Sequence, residues 1–568
     1  MKKISMISVP TKIITAIGCC LLVIGFSACS DLLDTDSEYV EWVDDNRLQQ
    51  PTDSVYSVMG IIYKLQTIAD RTVLLGELRG DLVTTTAAAS SDLKAIADFK
   101  IGNQNAYNRI SDYYAIINNC NYFLKNVNVN LVQSGRKVFE GEYAAVKAFR
   151  AWTYLQAVLV YGRVPLITEP LLTEEEAHEA MMKGDSYVGL TEICRYFIDD
   201  LKDYVDTKLP SYISQDYFIP VRVLLGDLCL WAGLYPEAAQ YYHDYLSLRT
   251  APVPTGVQRA SWYDIDTREF RMISSSLSYI SFSECKFSIP MESNDFYGVR
   301  SDLVNIFSST VNNLQFAQVT PTARMRELSR ACNYCDLHTL NGIQDTIYAP
   351  KENMYDNDYI GDLRFTANYS RRIENRDRFA RTSSEIQRIQ KINSSYVVLY
   401  RTNMIYLRYA EALNRAGYPQ SAFAVLKYGL YPDIVAKQID EEERTAAGGL
   451  IAFDADYFTV ENTQGVHSRG SGRADCDTLY VLPQPAEELA TRQDTVDYQI
   501  PQVENLIITE MALEGVFEGY RYYDLMRVAL RRNDPAYLAD PISLREGTPN
   551  EALRSKLMDK ANWYLPLP

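Results

Sequence analysis

The stretch that decides the fold is Met404-Ile405-Tyr406-Leu407-Arg408-Tyr409-Ala410-Glu411-Ala412-Leu413-Asn414, followed by Gly417-Tyr418-Pro419-Gln420-Ser421-Ala422-Phe423-Ala424-Val425-Leu426-Lys427. Tyr406, Tyr409, Ala410 and Leu413 recur at helical spacing and form one apolar stripe; Ala422, Val425 and Leu426 form a second. Between them stands a short Gly/Tyr/Pro segment. Proline suits the first turn of a helix, where its missing N–H costs nothing. The spacing therefore predicts two helices, 404–416 and 420–427, joined by a tight turn.

The same register occurs earlier in the chain. Tyr235-Pro236-Glu237-Ala238-Ala239 matches Tyr418-Pro419-Gln420-Ser421-Ala422, and each follows an apolar helix and a glycine. This is the tetratricopeptide plan, in which small residues let two helices approach closely. Two distant copies make helical hairpins inside a larger fold rather than a solenoid. Periodicity predicts further helices over 55–68, 106–124, 138–161, 222–232 and 236–246, with one long helix over 503–530. Residues 76–89 read as a loop. From about 249 to 394 the helical period fades into Pro, Gly, Asn, Ser and aromatics, and 441–500 is also irregular. The chain is mainly α, with a long loop-rich insertion of the kind that carries binding residues on a rigid frame.

The N-terminus is a targeting segment. Lys2, Lys3 and Lys12 precede the apolar run 13–26, which is too short to span a membrane and has the length of a secretory core. It ends in Phe26-Ser27-Ala28-Cys29, a lipobox pattern in which Cys29 becomes the lipidated first residue. The alternatives are cleavage at Cys19 or Cys20, or an ordinary signal peptide with a chance cysteine. Ser30-Asp31-Leu32-Leu33-Asp34-Thr35-Asp36-Ser37-Glu38 then reads as a solvated acidic tether. A triacylated cysteine suffices for stable anchoring without a spanning helix.

The formal charge is −17, and removing the signal residues with their three lysines takes it to −20. So acidic a surface repels phosphate backbones and anionic lipid heads, which excludes general nucleic-acid binding. Seven cysteines follow Cys29, an odd and scattered set that is no disulfide framework. The 42 tyrosines against 19 phenylalanines and 5 tryptophans favour wet, aromatic contact surfaces.

Several segments together resemble the SusD/RagB family of outer-membrane nutrient-binding lipoproteins. They are Cys29-Ser30-Asp31-Leu32-Leu33-Asp34, the Glu142 to Arg150-Ala151 helix leading to Tyr161-Gly162-Arg163-Val164-Pro165, the Leu407 to Asn414 run, Asp362-Leu363-Arg364-Phe365, and Glu518-Gly519-Tyr520-Arg521-Tyr522-Tyr523-Asp524-Leu525-Met526-Arg527. The resemblance implies a SusD-like helical body with tetratricopeptide-like hairpins facing a SusC-like TonB-dependent barrel, and an irregular part that holds glycan, or in some members peptide, for import. It divides the chain into a signal (1–28), a lipidated tether (29–50), an N-terminal helical part (51–250), the insertion (251–394) and a C-terminal helical part (395–568). It also implies the outer membrane as location, with a lipid anchor and no cofactor.

Catalytic patterns are absent from the sequence: there is no HExxH, no Gly-x-Ser-x-Gly elbow and no Walker loop. A carboxylate pair can always be found among 73 acids, so a surface-anchored helical glycoside hydrolase remains an alternative with little support. A tetratricopeptide adaptor that binds protein is another. Cys332-Asn333-Tyr334-Cys335 with His338 lacks a fourth metal ligand and reads as a local disulfide or two thiols. Asp356, Asp358, Gly361 and Asp362 fail the calcium-loop pattern, since Ile360 and Ala367 stand where oxygen ligands belong. Glu514, Glu518, Arg521, Asp524 and Arg527 are spaced for charge pairs along one helix. For ligand capture, aromatic faces stack on sugar rings while Asp, Asn and Arg bind hydroxyls. The candidates are Trp262, Tyr263, Phe296, Tyr297 and Tyr334 from the insertion, with Arg79, Asp81, Asn103 and Asn105 from the N-terminal loops.

Overall fold

The apolar stripe that begins at Val55 continues further than its spacing predicts, and the first helix runs Pro51–Leu78. Gly76, expected to open a loop, lies inside it because the backbone of Gly519 rests there. A Cβ at Gly76 would stand 1.7 Å from the Gly519 carbonyl oxygen. The glycine marks a close helix contact, not a helix end.

A computed structural model describes residues 51–248, 262–264, 269–271, 284–309, 316–332, 335–340, 342–348, 361–377 and 382–567. Cys29, the tether and Tyr334 lie outside them. Residues 50–568 form one compact unit.

Helices pack in chain order: Pro51–Leu78 on Ile110–Asn126, that on Glu140–Tyr161, then Leu190–Leu201, Val221–Ala232 and Tyr235–Leu246. The second hairpin, Thr402–Arg415 with Pro419–Lys427, lies against Tyr235–Leu246 on one side and Arg492–Gly515 on the other. Arg521–Arg532 returns to the first helix. Both expected hairpins are present. Gly226 and Ala410 are the small residues at their contacts, with a Gly226 Cβ falling 2.5 Å from the Tyr242 ring and Ala410 fully buried.

One expectation is corrected. The single helix over 503–530 is two, Arg492–Gly515 and Arg521–Arg532. The chain breaks at Phe517 (φ 71°) and Gly519 (φ 88°). Side chains from elsewhere satisfy the freed backbone: Lys391 Nζ donates to Val516 O (3.2 Å), Arg401 to Glu514 O (2.5 Å), and Gly519 N–H donates to Glu77 Oε1 (2.8 Å). Periodicity cannot see partners that lie over a hundred residues away.

The described residues of the loop-rich insertion include short hairpins. Trp262–Asp264 pairs with Glu269–Arg271, Cys335–Leu340 with Ile343–Tyr348, and Tyr369–Asp377 with Thr382–Ile389, all antiparallel. Cys285–Pro290 pairs across the chain with Tyr396–Arg401, and Val319–Pro321 with Val83–Thr85. No helix among the described residues is long and apolar enough to cross a membrane.

Candidate ligand-binding site

Strand Cys285–Pro290 leads into a tight loop that carries two of the expected aromatics. Glu292 N–H bonds Val299 O and Ser293 N–H bonds Phe296 O, both at 2.8 Å, which closes a turn over 293–296. Gln66, on the first helix and 2% exposed, clamps the loop from below. Its Nε2 donates to Pro290 O (2.7 Å) and Tyr297 O (3.1 Å), while its Oε1 accepts from Val299 N–H (2.7 Å). Three hydrogen bonds to one buried amide fix the loop's height and orientation. Gly298 (φ 122°) allows it, since a Cβ would stand 1.9 Å from Gln66 Oε1. Gly298→Ala is therefore expected to dislodge the loop and weaken glycan binding at this face roughly fivefold to a hundredfold, by about 1–3 kcal/mol; calorimetric titration against wild type checks this.

The clamp brings together rings from three parts of the chain. Phe296 meets Tyr63 at 5.1 Å and Tyr217 at 5.8 Å, tilted by 48° and 71°. Tyr63 stands one turn before Gln66 on the first helix, and Tyr217 ends the short Gln215–Tyr217 turn. All three rings are half-buried. Tyr297 is the exception. It is 85% exposed, a large flat face that the fold holds in water by a bond to its own carbonyl.

Polar groups continue the surface along the same helix face. Asp70, one turn beyond Gln66, accepts from Ser301 Oγ and Asp302 N–H, each at 2.7 Å. Burial pushes its carboxyl above the usual range, against those two bonds. The Tyr107 hydroxyl is pushed up to about 12 by burial and by the carboxylates of Asp70, Asp302 and Asp92. It stays a neutral donor at physiological pH. Asn294, Asp295 and Arg300 are exposed around the loop. An aromatic face edged by carboxylates, an amide and a phenol is suited to a polyhydroxylated ring: apolar C–H faces stack and hydroxyls bond at the edge.

The other expected ligand residues lie elsewhere. Arg79 and Asp81 are core groups, 1% and 0% exposed, and their polar atoms are engaged inside the fold. Arg79 donates to Leu75 O, Trp563 O and the Tyr523 hydroxyl and lies 4.1 Å over the Tyr522 ring. Asp81 takes both Arg521 Nε (2.6 Å) and Nη2 (2.9 Å). Their loop-like sequence hid a contact with the far end of the chain. Asn105 is buried and internal, giving Nδ2 to Asp92 O (3.1 Å) and accepting from Tyr107 N–H (2.9 Å). It holds Tyr107 in place. Asn103 is exposed, on the same 99–109 segment. Trp262 and Tyr263 belong to the short strand paired with 269–271. Tyr63, Tyr217, Gln66 and Tyr107 are missed by sequence reasoning, though Tyr63, Gln66 and Asp70 share helical spacing.

A cleft of about 510 Å³ elsewhere on the chain is lined by Thr84, Thr85, Asp98, Arg545, Thr548 and Asn550 among others, with no aromatic ring. Arg545 spends its guanidinium on the carbonyls of Leu78 and Ala97, so the cleft lacks a free cation and a stacking face.

At the level of sequence, no family model matches the chain and no curated protein matches it. Solved structures do. A SusD superfamily protein of Bacteroides vulgatus superposes with a TM-score of 0.55 at 13% identity, covering 92% of this chain and 96% of that one. The fold is SusD-like. A laminarin-binding SusD-like protein gives a TM-score of 0.53 at 17% identity over 91% and 96% of the two chains. A SusD-like carbohydrate binding protein of Bacteroides fragilis gives 0.51 at 14% over 86% and 88%. The likeness runs across most of the length of each chain, as the sequence motifs imply.

In this SusD-like body the charged motifs are buried ion pairs. The spacing of Glu514, Glu518 and Arg521 predicts pairs along one helix; they pair instead across the fold, with Arg401 and Asp81. Arg527 reaches Glu411 (2.8 Å) as well as Asp524 (2.8 Å), and Arg150 reaches Asp200 (3.0 Å). Cys332 and Cys335 do not face each other: Cys332 Sγ lies 3.7 Å from Leu328 O, and Cys335 Sγ lies 3.2 Å from Cys476. Among the described residues no group of three His, Cys, Asp or Glu could hold a metal ion.

Proposed function

We propose that the protein is a non-catalytic, surface-exposed outer-membrane lipoprotein that binds glycan at the Tyr63, Tyr217, Phe296 and Tyr297 face and passes it to a SusC-like TonB-dependent barrel. The observation that carries the reading is Tyr297, a large aromatic held almost fully in water by a buried clamp. A ring so exposed does no packing work and is free to meet a ligand face, and a loop whose backbone is already fixed loses little entropy on binding. That the SusD-like neighbours include proteins named for laminarin and carbohydrate binding favours glycan as the ligand. The lipobox at Cys29 and the acidic tether support anchorage at the outer face.

The test is titration of the mature protein against a panel of soluble polysaccharides and peptides. Tyr297→Ala is expected to lower affinity for the bound glycan tenfold to a hundredfold, about 1–3 kcal/mol, with an unchanged melting temperature. Because the ring is exposed, its loss leaves the core intact. Binding to peptides alone would move the ligand class, and binding to neither would defeat the reading. Reducing-end release would favour the hydrolase alternative. Co-purification of a barrel from native membranes tests the partner, and fatty-acid labelling lost in Cys29→Ala tests the anchor.

A further inference from the structure

We propose that Cys335 and Cys476 are joined by a disulfide in the mature protein, a cross-link that presupposes the export described above. The two residues are 141 apart in sequence, yet their sulfurs lie 3.2 Å from each other in a buried site. Sulfur atoms in van der Waals contact stand farther apart than this, and a covalent bond needs about 2.05 Å. A shift of about 1 Å closes the pair.

The backbone is arranged to hold them there. Cys335 begins the Cys335–Leu340 strand and forms an isolated parallel bridge with Gly472. Arg473 N–H donates to Cys335 O at 3.1 Å. A side chain at Gly472 would stand 1.9 Å from that same carbonyl, so the two segments approach as closely as only a glycine permits. Both thiols converge on Arg473 O, at 3.6 Å from Cys335 and 3.4 Å from Cys476. They are 1% and 4% exposed, so the bond closes as the two segments come together, before their burial is complete. The Lys427 ammonium, fixed by the carbonyls of Asp477 and Tyr480 at 2.7 Å, lies near enough to be coupled to both sulfurs.

The chemistry balances with an oxidant of the disulfide class. One thiolate attacks a disulfide of a thiol oxidoreductase in the export compartment, giving a mixed disulfide, and the second thiolate displaces the carrier. In the protein two S–H bonds are lost and one S–S bond forms; in the carrier the S–S bond breaks and its two sulfurs take up the two protons, so that it leaves as its dithiol. The product ties the base of the 335–348 hairpin to the 472–477 segment beside the buried His467 and Asp477. It staples part of the irregular insertion to the helical body.

The experiment uses the full chain, expressed with its signal, recovered from the cell envelope, alkylated under denaturing conditions and mapped without reduction. The expected result is a peptide pair linked through Cys335 and Cys476, with Cys332 alkylated. A Cys332–Cys335 link, or alkylation of both Cys335 and Cys476, overturns the proposal. The same mapping after incubation of the mature chain with glutathione disulfide separates the causes. Failure there as well condemns the geometry. A link formed in vitro but absent from envelope-derived protein overturns the cross-link as a native feature and leaves glycan binding untouched, whereas recovery of the chain only from the cytosol defeats the export reading. Dithiothreitol is expected to lower the melting temperature of wild type by roughly 5 °C, because a long closed loop is released, and to leave Cys335→Ser/Cys476→Ser unmoved. An equal shift in both overturns the proposal.

Discussion

Glutamine in place of Glu514 is expected to cost the protein about 3–5 kcal/mol, more than any other single change of similar size. Glu514 is 2% exposed and sits at the centre of a buried cluster. Its Oε1 accepts from Arg401 and from Asn403 Nδ2 (3.0 Å), and its Oε2 from Arg364 Nη1 (3.3 Å). Arg469 Nε lies 3.8 Å away. Although burial disfavours the charge, the surrounding Arg469, Arg401 and Arg364 hold the carboxyl well below the usual range. Around it, Glu510 takes Arg364 (2.7 Å), Glu518 takes Arg401 (2.6 Å) and Lys391 (2.7 Å), and Glu284 takes Arg469 (2.9 Å). A neutral amide of the same shape leaves buried guanidinium groups short of countercharge, the costly half of a broken buried pair. Glu179, exposed and on a surface helix, is the control: Glu179→Gln is expected to stay within about 0.5 kcal/mol. Urea denaturation of both variants measures the difference. Equal midpoints would mean the cluster contributes specificity without stability.

The second large effect is a loss of stability at alkaline pH that depends on His467. Its ring is 4% exposed, stacks on Tyr480 at 3.6 Å, and lies between Glu510 Oε1 (2.6 Å) and Asp477 Oδ2 (3.3 Å). Burial works against the charged ring, but the two carboxylates raise its pKa to about 9 from an ordinary 6.5. A raised value means that the folded protein holds the proton more tightly than the unfolded chain. The stabilisation is therefore complete below pH 6.5 and is lost as the pH climbs through about 9. A shift of that size corresponds to about 3 kcal/mol. Glu510 gives the mirror image: despite burial, His467 and Arg364 lower it to about 2 from 4.5, so its contribution is present above pH 4.5 and lost as the pH falls through 2. Urea midpoints from pH 6 to 10 are expected to fall more steeply for wild type than for His467→Gln. Parallel curves would contradict the buried imidazolium.

The same cluster explains what was legible in the sequence and what was not. The helices could be read because Tyr406, Tyr409, Ala410 and Leu413 repeat with the period of the structure they form. The charged residues of the 514–527 motif could be read as ion-pairing, but not their partners. Arg401 and Lys391 precede Glu518 by 117 and 127 residues, and Asp81 precedes Arg521 by 440. Composition identified the insertion as the place for aromatics, and Phe296 and Tyr297 meet in one loop there. Tyr63 and Tyr217 were invisible because each looks like an ordinary helix or turn residue until strand pairing brings Phe296 to it. Arg79 and Asp81 misled for the opposite reason: a Gly-flanked polar run resembles a surface loop, and only the C-terminal motif turns it into core.

This cluster also fixes the loop that carries Phe296 and Tyr297. Glu284, which anchors Arg469, immediately precedes the Cys285–Pro290 strand that delivers Phe296 and Tyr297. The helical body thus sets the position of the aromatic face through buried charges rather than through apolar packing alone.

Backbone hydrogen exchange with and without a saturating bound glycan addresses ligand capture at this face most directly. The account predicts slowed exchange over residues 292–301 and over the 61–70 stretch of the first helix, with residues 543–551 of the other cleft unchanged. Protection confined to 543–551, with the 292–301 loop exchanging as freely as before, would contradict it.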